Sequence, residues 1–143
     1  MKKKMHPAKQ YLMQIEKIDA MLENKKAEKA HWGDIAIGTT VRLNEKVQTS
    51  GSKQKMADAV VKALSVQEEI DECIIRLKNK KQEIISVIEQ LSASEYDLLH
   101  KIYVQYFTLK EYQFMKHISY SSVTSLHGRA LNNVMDILER MKQ

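Results

Sequence analysis

Apolar positions along this chain recur at steps of three and four, the period of an amphipathic helix. From Ala8 to about His31, Tyr11, Ile15, Ile18 and Leu22 repeat at four-three-four spacing, the seam of a coiled coil, and Leu12 and Met13 flank and widen it. Pro7 is suited to open this helix, and Trp32-Gly33 to end it. Residues 33–52 lose the periodicity and hold Gly33, Gly38 and Gly51, so a loop is expected there, with Thr40 to Leu43 as a possible extended piece. From Ser52 to about Leu91 a long helix is expected. Its stripe is Met56, Val60, Ala63, Ile70, Ile74, Leu77, Ile84, Ile88 and Leu91, with Gln67 and Lys81 as polar interruptions. Such a helix extends about 60 Å, more than the first helix covers, so the remainder meets either the C-terminal unit or a second copy of the chain, the second being the expectation.

The last fifty residues carry shorter patterns. Ser94 with Asp97 reads as a cap for a helix from Glu95 to about Tyr106, burying Leu98, Leu99, Ile102 and Tyr103. Thr108 and Glu111 form the capping-box pattern before a short helix from Leu109 to about Lys116. His117-Ile118-Ser119 breaks that helix, and Ser119 caps another. In this last helix Val123, Leu126, Ala130, Val134, Ile137 and Met141 face inward. Ser121, Ser125, Gly128, Arg129 and Asn132 lie opposite, with Ser122 and Thr124 at the edges.

The predicted fold class is therefore all-α. A long helical hairpin, a coiled-coil-like arm over residues 1–91 with its loop at about 33–52, precedes a three-helix helix-turn-helix unit over residues 92–143. Two helices joined by so tight a corner form the arrangement whose second helix enters the major groove of DNA. On that reading Thr108, Ser119, Tyr120, Ser121, Ser122, Thr124, Ser125, Arg129 and Asn132 face DNA, and Arg129 can fork onto a guanine. The competing reading makes the same residues the solvated side of a capping helix.

Charge qualifies the picture. The formal net charge is +5, favourable for a polyanionic partner. Residues 1–31 hold eight Lys against four acids, whereas residues 92–143 hold six basic residues against five acids. Phosphate contact depends on Lys and Arg releasing counterions, so a nearly neutral C-terminal part argues against tight nonspecific binding. Lys2, Lys3 and Lys4 read as a solvated tail or, more sharply, as an arm on the DNA backbone.

Other chemistry finds little support. The five His include no pair at four-residue helical spacing with an intervening Glu, and there is no glycine-rich phosphate loop. Glu68-Glu69 and Asp71-Glu72 fall on a solvated helix side. No catalytic residue, metal ligand or cofactor site is expected. Cys73 stands alone, which excludes an internal disulfide and fits a reducing cytoplasm. No apolar run reaches membrane-spanning length and no signal-type stretch follows the N-terminal lysines, so neither a membrane protein nor a secreted one is expected.

Ser50-Gly51-Ser52-Lys53 with Lys55-Met56-Ala57-Asp58-Ala59-Val60, then Tyr103-Val104-Gln105 and Leu126-His127-Gly128-Arg129-Ala130-Leu131, resemble small phage-encoded regulators of the ArpU/RinA type. The resemblance runs from about Ala8 to Leu138. It implies a prophage protein of a Gram-positive host acting in the cytoplasm, a sigma-factor-like helix-turn-helix at its C-terminal end, and control of late genes, with RNA polymerase as a possible contact. The chain departs from that pattern at Gln113 and His117, where relatives carry a small residue and a glycine, and at Ser121 and Ser125, where they often carry Arg. The expectation is a dimeric regulator of double-stranded DNA. The alternative is a helical protein-interaction module without tight DNA binding.

Overall fold

A computed structural model describes residues 5–45 and 50–143, with backbone alone for 40–45 and 50–52. Every regular element among the described residues is helical. The elements are α1 (Pro7–Glu45), α2 (Ser50–Ile88), α3 (Ala93–Leu99), a π-helical turn (His100–Val104), α4 (Leu109–Lys116) and α5 (Tyr120–Met141).

The largest departure from expectation is at residues 33–52. The helix does not stop at Trp32-Gly33. It runs on to Glu45, and the backbone of Thr40 to Leu43 is helical rather than extended. Glycine weakens a helix interior by only about 1 kcal/mol relative to alanine, and flanking Ala36 is buried, so two glycines do not break the element. α1 and α2 are each 39 residues long, which removes the length mismatch that called for a second copy.

The chain divides into two compact units, and the division does not fall at residue 91. One unit is Ala20–Lys78, and the other joins Met1–Asp19 to Asn79–Gln143. The expected tail at Met1 to Lys4 lies outside the described residues.

In the Ala20–Lys78 unit the two helices run antiparallel. Lys29 pairs with Asp71 at 2.6 Å, and Gln67 donates to the Lys29 carbonyl at 3.2 Å. Leu22, Ala36, Ala63 and Ile70 are buried, and the two alanines allow close approach. Gln67 is thus satisfied within the chain. So is Lys81 in the other unit, where it pairs with Asp19 at 2.7 Å. Neither polar seam position needs a second copy to explain it.

In the second unit the seam at the start of α1 is Ala8, Leu12, Ile15 and Ile18. Ile15, Ile18 and Leu22 are buried as expected, while Tyr11 is half-buried and Leu12 takes its place in the seam. Ile84, Val87 and Ile88 at the end of α2 are buried as well. Ser92, not Ser94, caps α3, accepting from the Glu95 N–H. Leu98, Tyr112 and Val123 form a buried cluster, with Ile102, Leu109 and Leu126 packed on it. The expected helix to Tyr106 changes instead into the π-helical turn, where the Gln105 N–H donates to the His100 carbonyl at 3.0 Å. Tyr106, at φ 64°, ends it in the left-handed region. On α5, Leu131 is buried although the pattern omitted it, and Met141, in the last turn, is exposed.

Gly38 stands inside α1, and a methyl group there would meet open space. Gly38→Ala should raise stability by roughly 0.5–1 kcal/mol, seen as an upward shift of a few degrees in a thermal melt followed by circular dichroism. A loop at this position would show no such gain.

Candidate nucleic-acid interface

The corner between α4 and α5 is built by local chemistry. Thr108 Oγ1 accepts from the Glu111 N–H at 3.1 Å, and Glu111 accepts from the Thr108 N–H at 3.1 Å, completing the capping box. α4 ends at His117 in the left-handed conformation, φ 56° and ψ 42°. The His117 N–H donates to the Gln113 carbonyl, closing the helix. Histidine holds this geometry at some cost, since left-handed backbone is disfavoured for residues with a Cβ. Ser119 Oγ then accepts from the Ser122 N–H at 3.1 Å and starts α5.

Asp97 binds the corner to the rest of its unit. Its carboxylate takes Lys101 at 2.7 Å, Lys116 at 3.1 Å and the Tyr112 hydroxyl at 3.0 Å. Burial by itself raises this carboxyl, but the bonds from Lys101, Lys116 and Tyr112 outweigh it and bring it down to about 2. Burial and the bond to Asp97 push Tyr112 up to about 12. The residue expected to cap a helix is instead the link between α3, the π-helical turn and α4.

On α5, Val123, Ala130, Leu131, Val134 and Ile137 face the core. Ser121, Ser122, Thr124, Ser125, Arg129 and Asn132 are exposed on the other side, as are Thr108, Ser119 and Tyr120 at the corner. Thr124 donates to the Ser121 carbonyl at 3.0 Å, and the Ser119 and Ser122 hydroxyls lie 2.7 Å apart. These short side chains are partly satisfied by the helix itself. Gly128 lies at its middle, where a Cβ would meet nothing within 4 Å. No packing contact therefore requires glycine there.

Two features were not legible in the sequence. Asn132 Oδ1 lies 3.1 Å from His6 Nε2, so the start of α1 reaches the edge of the expected reading face. An exposed apolar group, Phe114, Met115, Ile118 and Tyr120, surrounds the corner, with Phe114 at 74% exposure. Behind the face, His127 Nε2 and the Tyr103 hydroxyl are 2.8 Å apart. Burial, with Lys9 and His6 nearby, lowers the His127 pKa, and its half-buried ring is bonded to Tyr103. Among the described residues no cluster of His, Cys, Asp or Glu could hold a metal ion, and no helix is long and apolar enough to cross a membrane.

Comparison with family models, curated proteins and solved structures gives no match to this chain.

Asp97→Asn should destabilise the fold by about 1–2 kcal/mol at neutral pH, through loss of charge-assisted bonds to partly exposed lysines. Because the folded carboxyl is depressed below its usual 3.8, its contribution is present above that value and is lost as pH falls towards about 2. Urea denaturation across this acid range should show a steep loss for the parent and a flatter profile for Asp97→Asn.

Proposed function

We propose that this chain is a DNA-binding transcriptional regulator that places α5, from its Ser119 cap onward, in the major groove. The observation that carries the reading is the front of α5: a capped corner followed by an exposed run of short polar side chains around Gly128 and Arg129. An α-helix fits the major groove, and small residues let its backbone come close to the base edges. Ser121 and Ser125 bond phosphates or bases, and Arg129 forks onto a guanine. Thr108 and Ser119 offer hydroxyls at helix starts, where backbone N–H groups favour phosphate. Asn132 takes part once its contact with His6 is exchanged for a base.

The resemblance to ArpU/RinA-type regulators extends the proposal to a prophage setting, the bacterial cytoplasm and late-gene control. Pairing of two chains belongs to the same reading, since dimers set two reading helices about one turn of DNA apart. Ile37, Val61, Leu64 and Ile75 are exposed on the Ala20–Lys78 unit and supply apolar surface for it. A second reading, a protein-interaction module, is favoured by one observation: the exposed Phe114, Met115, Ile118 and Tyr120 group, which suits a protein partner such as RNA polymerase.

A gel-shift with DNA upstream of the neighbouring genes separates the two. A sequence-dependent shift should appear and weaken ~10- to 100-fold with Arg129→Ala. Equal binding to all DNA, or none at micromolar protein, would favour the interaction module. Gly128→Ala should raise the melting temperature, because alanine is the better helix former, and yet weaken the shift by crowding the groove. If that variant is stabilised and binds DNA as well as the parent, Gly128 does not face a groove.

A further inference from the structure

Beside its buried seam, the start of α1 carries a second stripe. Lys9, Met13 and Glu16 stand at four- and three-residue steps and so share one face, with Lys9 and Glu16 about 10 Å apart along the axis. They line one side of a cleft of about 220 Å³. The other side comes from Ile102 and Tyr103 of the π-helical turn, then Tyr106, Leu109 and, on α5, His127.

The backbone is irregular along this lining. π-Helical turns are rare and recur at functional sites, and a non-glycine residue in the left-handed region, as Tyr106 is, persists only where its surroundings hold it. The holding group is Asp19, which accepts from the Tyr106 hydroxyl and pairs with Lys81 at 2.7 Å. Tyr106 and Met13 are both kept exposed at the cleft.

Polar atoms of the lining largely satisfy one another. The Tyr103 hydroxyl is 2.8 Å from His127 Nε2, with the two rings stacked at 5.9 Å, and the Tyr106 hydroxyl is taken by Asp19. What remains open is ring and aliphatic surface. Lys9 is the exception: it is half-buried, and no carboxylate or other acceptor pairs with it among the described residues. Burial first, and then the Lys9 charge, lowers the His127 pKa, so that charge acts on the interior of the cleft.

We infer that this cleft binds a small ring-bearing carboxylate, its ring against Met13, Tyr103 and Tyr106 and its carboxylate on the Lys9 ammonium. Size sets the class. An apolar cavity of about 150 Å³ holds benzene, so one of about 220 Å³ has room for a single ring with a short arm. Tyrosine rings offer faces and edges on which such a ring packs. Charge sets the direction: an anion is drawn to Lys9, and Glu16, exposed two turns away, repels it from the other end. Neither the ligand nor its test involves DNA.

Phenylacetate is a suitable probe, with phenylacetamide as its uncharged match and phenethylamine as its cationic one. Each would be titrated into the full-length chain while the methionine methyl resonances are followed. Phenylacetate should shift the Met13 methyl saturably with a Kd of about 1 mM. Met135, in a separate cleft with Pro7 and Tyr11, should not move. The acid should bind roughly two- to fivefold more tightly than the amide, and the amine most weakly. Lys9→Gln should abolish the preference for the acid, and Glu16→Gln should strengthen the acid by a similar factor. Neither residue belongs to the buried seam, and Glu16→Gln, at an exposed position, tests the charge assignment from the opposite end. A Met13 methyl that does not respond by about 10 mM phenylacetate overturns the inference. So does a shift at Met135 in its place, equal binding of acid and amide, or a preference for the acid that survives Lys9→Gln.

Discussion

The carboxylate of Asp97 is the constraint on which the corner depends. Helices of seven and eight residues do not form alone in water, because the first turn costs more order than its few hydrogen bonds return. α3 and α4 are that short. They persist because Tyr112 is used twice: its ring lies in the cluster with Leu98 and Val123, and its hydroxyl donates to Asp97. Lys101 and Lys116 complete the carboxylate from the π-helical turn and from α4. A half-exposed ion pair is worth little by itself. Three donors on one carboxylate, braced by a buried ring, fix the direction in which α4 ends and hence where α5 begins.

That direction has value only if the face it presents is accessible and suited to a duplex. The residues on the outer side of α5 are small, which keeps the helix close to whatever it meets and leaves it little charge of its own. Chain order and spatial order differ at the edge of this face. Residues more than a hundred positions away along the chain, His6 and Asn132, meet at the edge of the face.

What the sequence made legible follows the range of the interactions. The caps at Thr108 and Ser119 and the helix break at His117 were readable because each involves residues within four positions. The α3 cap was misread by two residues, since Ser92 with Glu95 and Ser94 with Asp97 offer the same spacing. Only the tertiary partners of Asp97 decide between them. Leu12 displaced Tyr11 from the seam because adjacent apolar residues fit a helical stripe equally well until a partner selects one. Gly33 and Gly38 were read as a loop, yet their weak local preference is outweighed by a continuous helix with Ala36 buried in it. The π-helical turn and the His6 contact left no local signal. The outer-face residues, by contrast, are exposed where the helical period placed them.

The same comparison bears on pairing of chains. Gln67 and Lys81 interrupt the apolar stripe, and each is bonded inside the chain, by the Lys29 carbonyl and by Asp19. A polar group in a seam costs stability unless it is bonded, and once bonded it fixes alignment wherever its partner lies. Here that alignment is of α1 against α2. The polar seam positions therefore give no support of their own to pairing of two copies. Among the described residues of the Ala20–Lys78 unit, Ile37, Val61, Leu64 and Ile75 are exposed aliphatic side chains that this alignment does not use.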